Sequence, residues 1–212
     1  MPHIAHGGGI DSTLLFALLA EQFNEDFHIY HMNYGHLAAN AELKAIEKQI
    51  DYIEARFNRN VVLHRLQVDI PKVGLLFTGN LNESPEIPNR NKLILDAISV
   101  YTRTVWFGAE PTPPNKLPME DCTASFFRMY CQNWTETHNI PFNVMTPFLY
   151  NTYDQYIDIL RRSIFGDRYM MMSYAMTCWT PTNEETFIPD MHCGRCLACE
   201  KYSKLYGRKW KR

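Results

Sequence analysis

The chain has 212 residues, of which 46% are hydrophobic and 21% are charged, and its formal net charge is −2. The length and composition are typical of one globular domain with a substantial core, and they exclude a chain that is disordered throughout. The small net charge gives no general reason to expect a nucleic-acid partner. Because no run approaches the roughly 18 apolar residues of a membrane span and the first residues do not follow the order of a signal peptide, we expect a soluble cytoplasmic protein without a membrane partner.

Short extended runs alternate along the chain with helical stretches. This alternation predicts a Rossmann-like α/β fold, with a parallel sheet of about five strands and helices on both faces. The predicted strands are residues 2–6, 27–33, 61–68, 105–109 and 141–145. The predicted helices are residues 11–22, 40–57, 91–103, 122–138 and 153–164.

Helical periodicity places Tyr101 on the inward face of the third helix, and Asp121 is expected to cap the fourth. Residues 69–88 and the proline-rich residues 110–120 are predicted to be loops. We expect a main domain over residues 1–176 and a small metal-binding segment over residues 177–212.

Cysteines cluster in this last segment. One cysteine is followed, after fourteen residues, by C-x-x-C-x-x-C, which supplies four thiolates: Cys178, Cys193, Cys196 and Cys199. Such clustering in a cytosolic-looking chain favours a metal over disulfides, and four thiolates suit a closed tetrahedral zinc site. We predict a structural Zn²⁺, with an iron–sulfur cluster as the main rival and His192 as a possible substitute ligand.

Basic residues also concentrate at the end of the sequence: Lys201, Lys204, Arg208, Lys209, Lys211 and Arg212. A stretch of this kind is usually a solvated tail, and the alternative is an arm that contacts RNA or DNA.

The stretch HGGGIDST, residues 6–13, joins the first predicted strand to the first predicted helix. In an open parallel sheet, ligands bind beyond the carboxyl ends of the strands, where a glycine-rich turn presents backbone N–H groups and the positive end of a helix dipole. Asp11 could position Mg²⁺ or cap the turn. The predicted phosphate-binding residues are Gly7, Gly8, Gly9, Ile10, Asp11, Ser12 and Thr13. The alternative is a turn that only joins strand to helix.

This order of residues fits neither the ATPase P-loop nor the spaced glycines of a dinucleotide fold. It resembles the signature Ser-Gly-Gly-x-Asp-Ser of the PP-loop ATP pyrophosphatases, with Gly7 in place of the first serine. The resemblance implies that the chain binds ATP and activates a carbonyl or carboxylate as an adenylate while pyrophosphate leaves.

Further stretches are similar to the 7-cyano-7-deazaguanine synthases, the QueC family. They are YGH at 34–36, IPNRN at 87–91, MEDCTASFFRMY at 119–130, and TCW with CGRCLAC around the cysteines. The resemblance spans nearly the whole chain. It implies catalytic roles for Asp11, Ser12 and Arg90, nucleotide contacts at Asn33 and Tyr34, and substrate contacts at Arg90, Asn91, Asp121 and Cys122. The alternatives are a solvated charge at Arg90 and helix caps at Asn91 and Asp121.

The resemblance implies an ATP- and Mg²⁺-dependent carbon–nitrogen ligase, a homodimer, that converts 7-carboxy-7-deazaguanine and ammonia to the amide and then the nitrile. Thr123, Ser125 and Tyr153 stand where the family pattern has arginine, glutamate and, nearby, lysine. These departures keep alternatives open: an enzyme that stops at the amide or uses another acceptor, a PP-loop enzyme acting on tRNA, or a catalytically silent nucleotide-binding module.

Overall fold

Five parallel strands form the centre of the molecule in a computed structural model that describes residues 1–68, 90–114, 116–182 and 191–207. The order across the sheet is β3-β2-β1-β4-β5. The strands are β1 His3–Ala5, β2 Phe27–Asn33, β3 Val61–Gln67, β4 Thr104–Phe107 and β5 Asn143–Met145. Because the chain moves outward from β1 first in one direction and then in the other, a crevice forms beyond the carboxyl end of β1.

Helices cover both faces of the sheet. They are α1 Ile10–Gln22, α2 Ala39–Phe57, α3 Arg90–Ser99, α4 Ala124–His138, α5 Tyr153–Phe165, α6 Tyr169–Ser173 and α7 Leu197–Tyr206. Successive β1 residues point to opposite faces: Ile4 packs with α1, α2, α5 and α6, and Ala5 packs with α3 and α4. The predicted fold, a Rossmann-like parallel sheet with helices on both faces, is confirmed.

Local sequence explains several helix ends. Asn58 follows α2 and Asn139 follows α4, both in the left-handed conformation that asparagine tolerates better than most residues. At the start of α5, the Thr152 hydroxyl accepts a hydrogen bond from the Gln155 N–H, and the Gln155 side chain accepts one from the Thr152 N–H. This capping box fixes where α5 begins.

The third helix is shorter than predicted. It ends at Ser99, where the prediction extended it to residue 103, because the N–H groups of Tyr101 and Thr102 both donate to the Ile98 carbonyl and close a turn. Tyr101 is 54% exposed, so its predicted inward position is wrong.

The fourth helix is capped by a different residue from the one predicted. The Thr123 hydroxyl accepts a hydrogen bond from the Phe126 N–H, which makes Thr123 the N-cap. Asp121 lies one turn earlier in a 3-10 helix, Glu120–Cys122, and its carboxylate accepts from the Asn91 N–H at the start of α3. Asp121 is therefore a capping residue of α3 and not of α4.

Two helices, α6 and α7, were not predicted. The predicted loop over residues 69–88 lies outside the described residues, and so do Arg208 to Arg212 of the basic tail. Among the parts of the chain that are described, no helix combines the length and the apolar character needed to cross a membrane.

Candidate functional site

The glycine loop lies where β1 ends and α1 begins, at the crevice. Gly9 is the N-cap of α1, and within the described residues no side chain caps this end of the helix. The first N–H groups of an α-helix have no partner within the helix and carry the positive end of its dipole. The loop therefore offers an anion-binding end beside the sheet.

The polar side chains of the loop shape its backbone. Burial lowers the pKa of His6 to about 3, and the neutral imidazole accepts a hydrogen bond from the Gly8 N–H at 2.9 Å. The hydroxyls of Ser12 and Thr13 donate to the Gly9 carbonyl at 3.1 and 2.8 Å. Thr13 and Ile10 are buried, so in this structure their side chains anchor the loop to the protein interior. Gly7 is exposed.

Two glycines let other parts of the chain approach this loop closely. Gly8 has φ +69°, and a Cβ there would lie 2.9 Å from the Glu42 carbonyl oxygen on α2. Gly108 follows β4, and a Cβ there would lie 2.9 Å from the Asp11 carbonyl and from the Ser12 nitrogen. Gly108 was missed from the sequence, although its place at the end of a central strand marks it as a site position.

Four side chains form a cluster beside the loop, which we name the acid–lysine cluster: Asp11, Glu110, Tyr156 and Lys201. The Tyr156 hydroxyl donates to the Asp11 carboxylate, and the Lys201 ammonium donates to the Glu110 carboxylate. The side chains of Glu110 and Lys201 are only about one third exposed, at 33% and 34%. Apart from Asp11, the members of this cluster were not predicted.

The members of this cluster lie close enough for their charges to affect one another. Burial and then the charge of Asp11 raise the pKa of Glu110 above its usual value. The pKa of Lys201 is raised to about 12, because the attraction of Asp11 and Glu110 outweighs the opposing effect of burial. Tyr153, which stands near the lysine position of the family pattern, also lies within electrostatic reach of Lys201.

The turn after β2 brings a second predicted group to the same sheet edge. The Asn33 side chain accepts a hydrogen bond from the Gly35 N–H at 2.8 Å, which shapes the turn. Tyr34 is buried, and burial raises its pKa, while the charge of Arg90 acts in the opposite direction. The predicted nucleotide-contact residue Tyr34 therefore lies near the exposed Arg90.

Asn91, Asp121 and Cys122 form the third predicted group. Asn91 is buried, and its amide donates to the Asp121 carbonyl at 2.8 Å and to the Cys122 Sγ at 3.0 Å. Burial and the Asp121 charge raise the pKa of the Cys122 thiol to about 11. Cys122 is therefore protonated near neutral pH and is a poor nucleophile.

The four predicted metal ligands come together in the folded chain. The sulfur atoms of Cys178, Cys193, Cys196 and Cys199 all lie within 4.8 Å of one another, and those of Cys193 and Cys199 are 3.9 Å apart. Gly194, at φ +70°, forms the tight turn between two ligands. This group can hold a metal ion, and ordered thiolates at such spacing suit one.

His192 is not a member of this group of sulfur ligands. Its Nε2 lies 3.5 Å from the nitrogen and hydroxyl of Thr177, and its ring packs against Tyr202 at 4.5 Å between centroids. The four cysteines are therefore the ligand set that the structure assembles.

The sheet order and the glycine loop at the carboxyl end of β1 define an α/β fold of the Rossmann-like class, with a group of four cysteines beside it. The sequence profile of the family described as queuosine biosynthesis protein QueC matches residues 4–208, so the chain belongs to the QueC family. Membership of this family, together with the fold, indicates an ATP-using enzyme.

Comparison with solved structures finds the U34-tRNA thiolase NcsA from Methanococcus maripaludis, which was solved with its 4Fe–4S cluster. It shares 12% sequence identity with this chain, at a TM-score of 0.44, over 97% of this chain and 72% of the thiolase. No curated protein matches the sequence.

Proposed function

We propose that the chain is an ATP-dependent carbon–nitrogen ligase that converts 7-carboxy-7-deazaguanine and ammonia, through an adenylate and the amide, to the nitrile. The observation that carries this proposal is the convergence of three residue groups on one sheet edge: the loop at the start of α1, the turn at Tyr34, and the Arg90–Asp121 region. A nucleotide and an acceptor bound there would meet in one crevice.

The features at the N-terminus of α1 support a role in binding the phosphates of ATP. Its N–H groups and dipole favour an anion, and the exposed Gly7 leaves room for close approach. Asp11 and the neighbouring Glu110 offer carboxylate oxygens of the kind that Mg²⁺ prefers. A bound Mg²⁺ would supply positive charge at the leaving pyrophosphate.

The Arg90–Asp121 region supports a role in binding the acceptor. The exposed guanidinium of Arg90 can make paired hydrogen bonds to a carboxylate. Because the Cys122 thiol is protonated, we assign it a binding role and not covalent catalysis. The reaction then depends on positioning and on charge stabilisation around the activated carboxyl carbon.

We further propose that the cysteine group holds one Zn²⁺ in a structural role. Four thiolates at about 2.3 Å from a tetrahedral ion lie about 3.8 Å from one another, close to the 3.9 Å between the Cys193 and Cys199 sulfurs. A four-iron cluster binds each thiolate on a different iron and so spreads the sulfur atoms further apart. With four protein ligands, the zinc keeps no open position for substrate.

The test is mass spectrometry of the small molecules formed from ATP, Mg²⁺, ammonium and 7-carboxy-7-deazaguanine by the metal-loaded protein. We expect the nitrile, with AMP and pyrophosphate. Accumulation of the amide would place the product one step earlier, and unchanged substrate and ATP would refute the proposal.

Replacing Asp11 tests the site within the same assay. Asp11→Asn removes the carboxylate beside the phosphates and should lower the rate at least about 100-fold. Asp51→Asn, on the exposed face of α2, is the matched control and should retain the wild-type rate. Equal activity of the two variants would contradict the assignment of the site.

A further inference from the structure

Lys201 connects the metal-bearing end of the chain to the glycine loop. It lies on α7, which begins directly after Cys196 and contains Cys199. Its ammonium contacts Glu110, 91 residues earlier in the sequence, just beyond the end of β4. Gly108 brings this part of the chain against the first turn of α1. The lysine therefore reaches the anion-binding end of α1 from the opposite end of the sequence.

The charges around this end of α1 are unfavourable for a triphosphate. Asp11 and Glu110 are both acidic: Glu110 contacts Lys201, and it follows by two residues Gly108, which packs against the Asp11 backbone. The glycine loop, residues 6–13, contains no lysine or arginine that could offset them. A Mg²⁺ held by these carboxylates would supply part of the positive charge that phosphate binding needs, and an ammonium on a flexible stem, a common phosphate ligand in proteins, can supply more.

We propose that Lys201 is a ligand of the ATP phosphates, held by Glu110 until the nucleotide binds. The inference rests on the proposed ATP-dependent function and adds a residue to its binding site. At one third exposed, the Lys201 side chain is ordered by its partner and still reachable by solvent. When phosphate binds, the ammonium exchanges Glu110 for a phosphate oxygen.

The same geometry assigns a task to the metal-binding segment. Cys196 is the N-cap of α7 and Cys199 lies in its first turn, so the two ligands fix the start of the helix, and Lys201 follows two residues after Cys199. A metal that orders the four thiolates therefore also places a positive charge at the nucleotide. The segment acts on ATP binding by positioning Lys201.

The test measures binding of ATP and of AMP to the metal-loaded protein by calorimetry. Lys201→Met keeps the apolar stem and removes the charge, so ATP binding should weaken about 10- to 100-fold, whereas AMP, which lacks the pyrophosphate, should change less than about twofold. Lys201→Arg should recover most of the ATP affinity. The matched control is Lys204→Met, whose exposed side chain pairs with Glu200 on the same helix and should bind ATP as the wild type does.

Glu110→Gln separates ligand binding from a purely structural ion pair. If Glu110 only holds Lys201 until the nucleotide binds, removing the Glu110 charge frees the ammonium. ATP should then bind as tightly as before, or more tightly, when binding is measured without added Mg²⁺. If the pair only supports the fold, Glu110→Gln and Lys201→Met should weaken ATP binding alike, which would overturn the inference. Wild-type affinity in Lys201→Met would overturn it as well. A wild-type protein that binds no ATP would overturn both this inference and the proposed function.

Discussion

At the scale of single residues, the site depends on positions where a side chain is absent as much as on those where one is present. Gly108 shows this most directly, since its Cα packs against the backbone of Asp11 and Ser12. The loop after β4 can approach α1 only because nothing fills that space. Sequence reasoning identified the glycines of the loop itself, which stand together, and missed Gly108, whose contacts are almost a hundred residues away.

We expect Gly108→Ala to displace the first turn of α1. Its Cβ would lie 2.9 Å from backbone atoms that cannot rotate away, so the free energy of unfolding should fall by about 1–3 kcal/mol. ATP affinity should fall with it, because the N–H groups at the start of α1 move. Urea denaturation and ATP titration measure the two effects.

Gly7→Ala is the control for stability. A Cβ at Gly7 meets no atom within 4 Å, so urea denaturation should give the wild-type value. Similar destabilisation of the two variants would contradict a steric role for Gly108.

At the scale of elements, helical periodicity and strand composition were sufficient to predict the sheet and five of the helices, but not their ends. The end of α3 depends on a turn at Ile98, and the cap of α4 depends on a choice between Asp121 and Thr123 that tertiary contacts decide. Helix α7 was missed because its buried stripe, Cys199, Tyr202 and Leu205, contains only three residues. Some of its partners, such as Ala41 and Ala45, lie far away in the sequence.

Histidines from three neighbouring strands stack across the sheet at His3, His28 and His64. The His3 and His28 rings are 4.6 Å apart, and the His28 and His64 nitrogens are 2.7 Å apart. Burial, followed by the charge of His28, lowers the pKa of His3 to about 4 and lowers the pKa of His64. Adding a proton to this stack therefore costs free energy in the folded state.

We expect this stack to make stability depend on pH. Because the folded pKa values lie below the unfolded value of about 6.5, the unfolded chain takes up the protons first. The stabilisation is fully present above about pH 6.5 and is lost as the pH falls towards 4. The measurement is the free energy of unfolding in urea, at about pH 7.5 and about pH 5.

The double variant His3→Gln and His64→Gln should lose less stability between these two pH values than the wild type does. His138→Gln, at the exposed end of α4, should follow the wild-type dependence. Identical pH profiles for the wild type and the double variant would show that the stack does not titrate in this way.

At the scale of the whole molecule, the cysteine segment packs against the main α/β domain. Its cysteines pack with Ala41 and Ala45 of α2 and with Met176, whose N–H donates to the Gly8 carbonyl at 2.8 Å. The metal group therefore supports α2 and the glycine loop together. The sequence predicted the ligands from their spacing, but it carried no sign of this contact, because α2 and the loop lie at the other end of the chain.

Removing the metal should weaken more than the segment that binds it. We expect a chelator, or Cys178→Ser, to lower the thermal midpoint, to reduce helical circular dichroism through loss of α7, and to weaken ATP binding. Metal analysis of the untreated protein should find about one zinc per chain and no visible absorption from an iron–sulfur cluster.

Cys131→Ser, on α4 and outside the ligand set, is the control and should keep its metal and its ATP affinity. Loss of metal without any change in ATP binding would show that the segment is independent of the loop.

The pairing of Lys201 with Glu110 also bears on how the protein is made. A ribosome adds roughly 5–20 residues each second, so Lys201 is joined to the chain roughly 10–40 s after Asp11. During that interval the glycine loop exists without its lysine and without the cysteines that position it. The nascent chain can form its first strands and helices, but Lys201 can join the proposed nucleotide site only when α7 folds back against Glu110. A protein truncated before Cys196 would therefore retain the loop and lack the ammonium that Glu110 holds beside it.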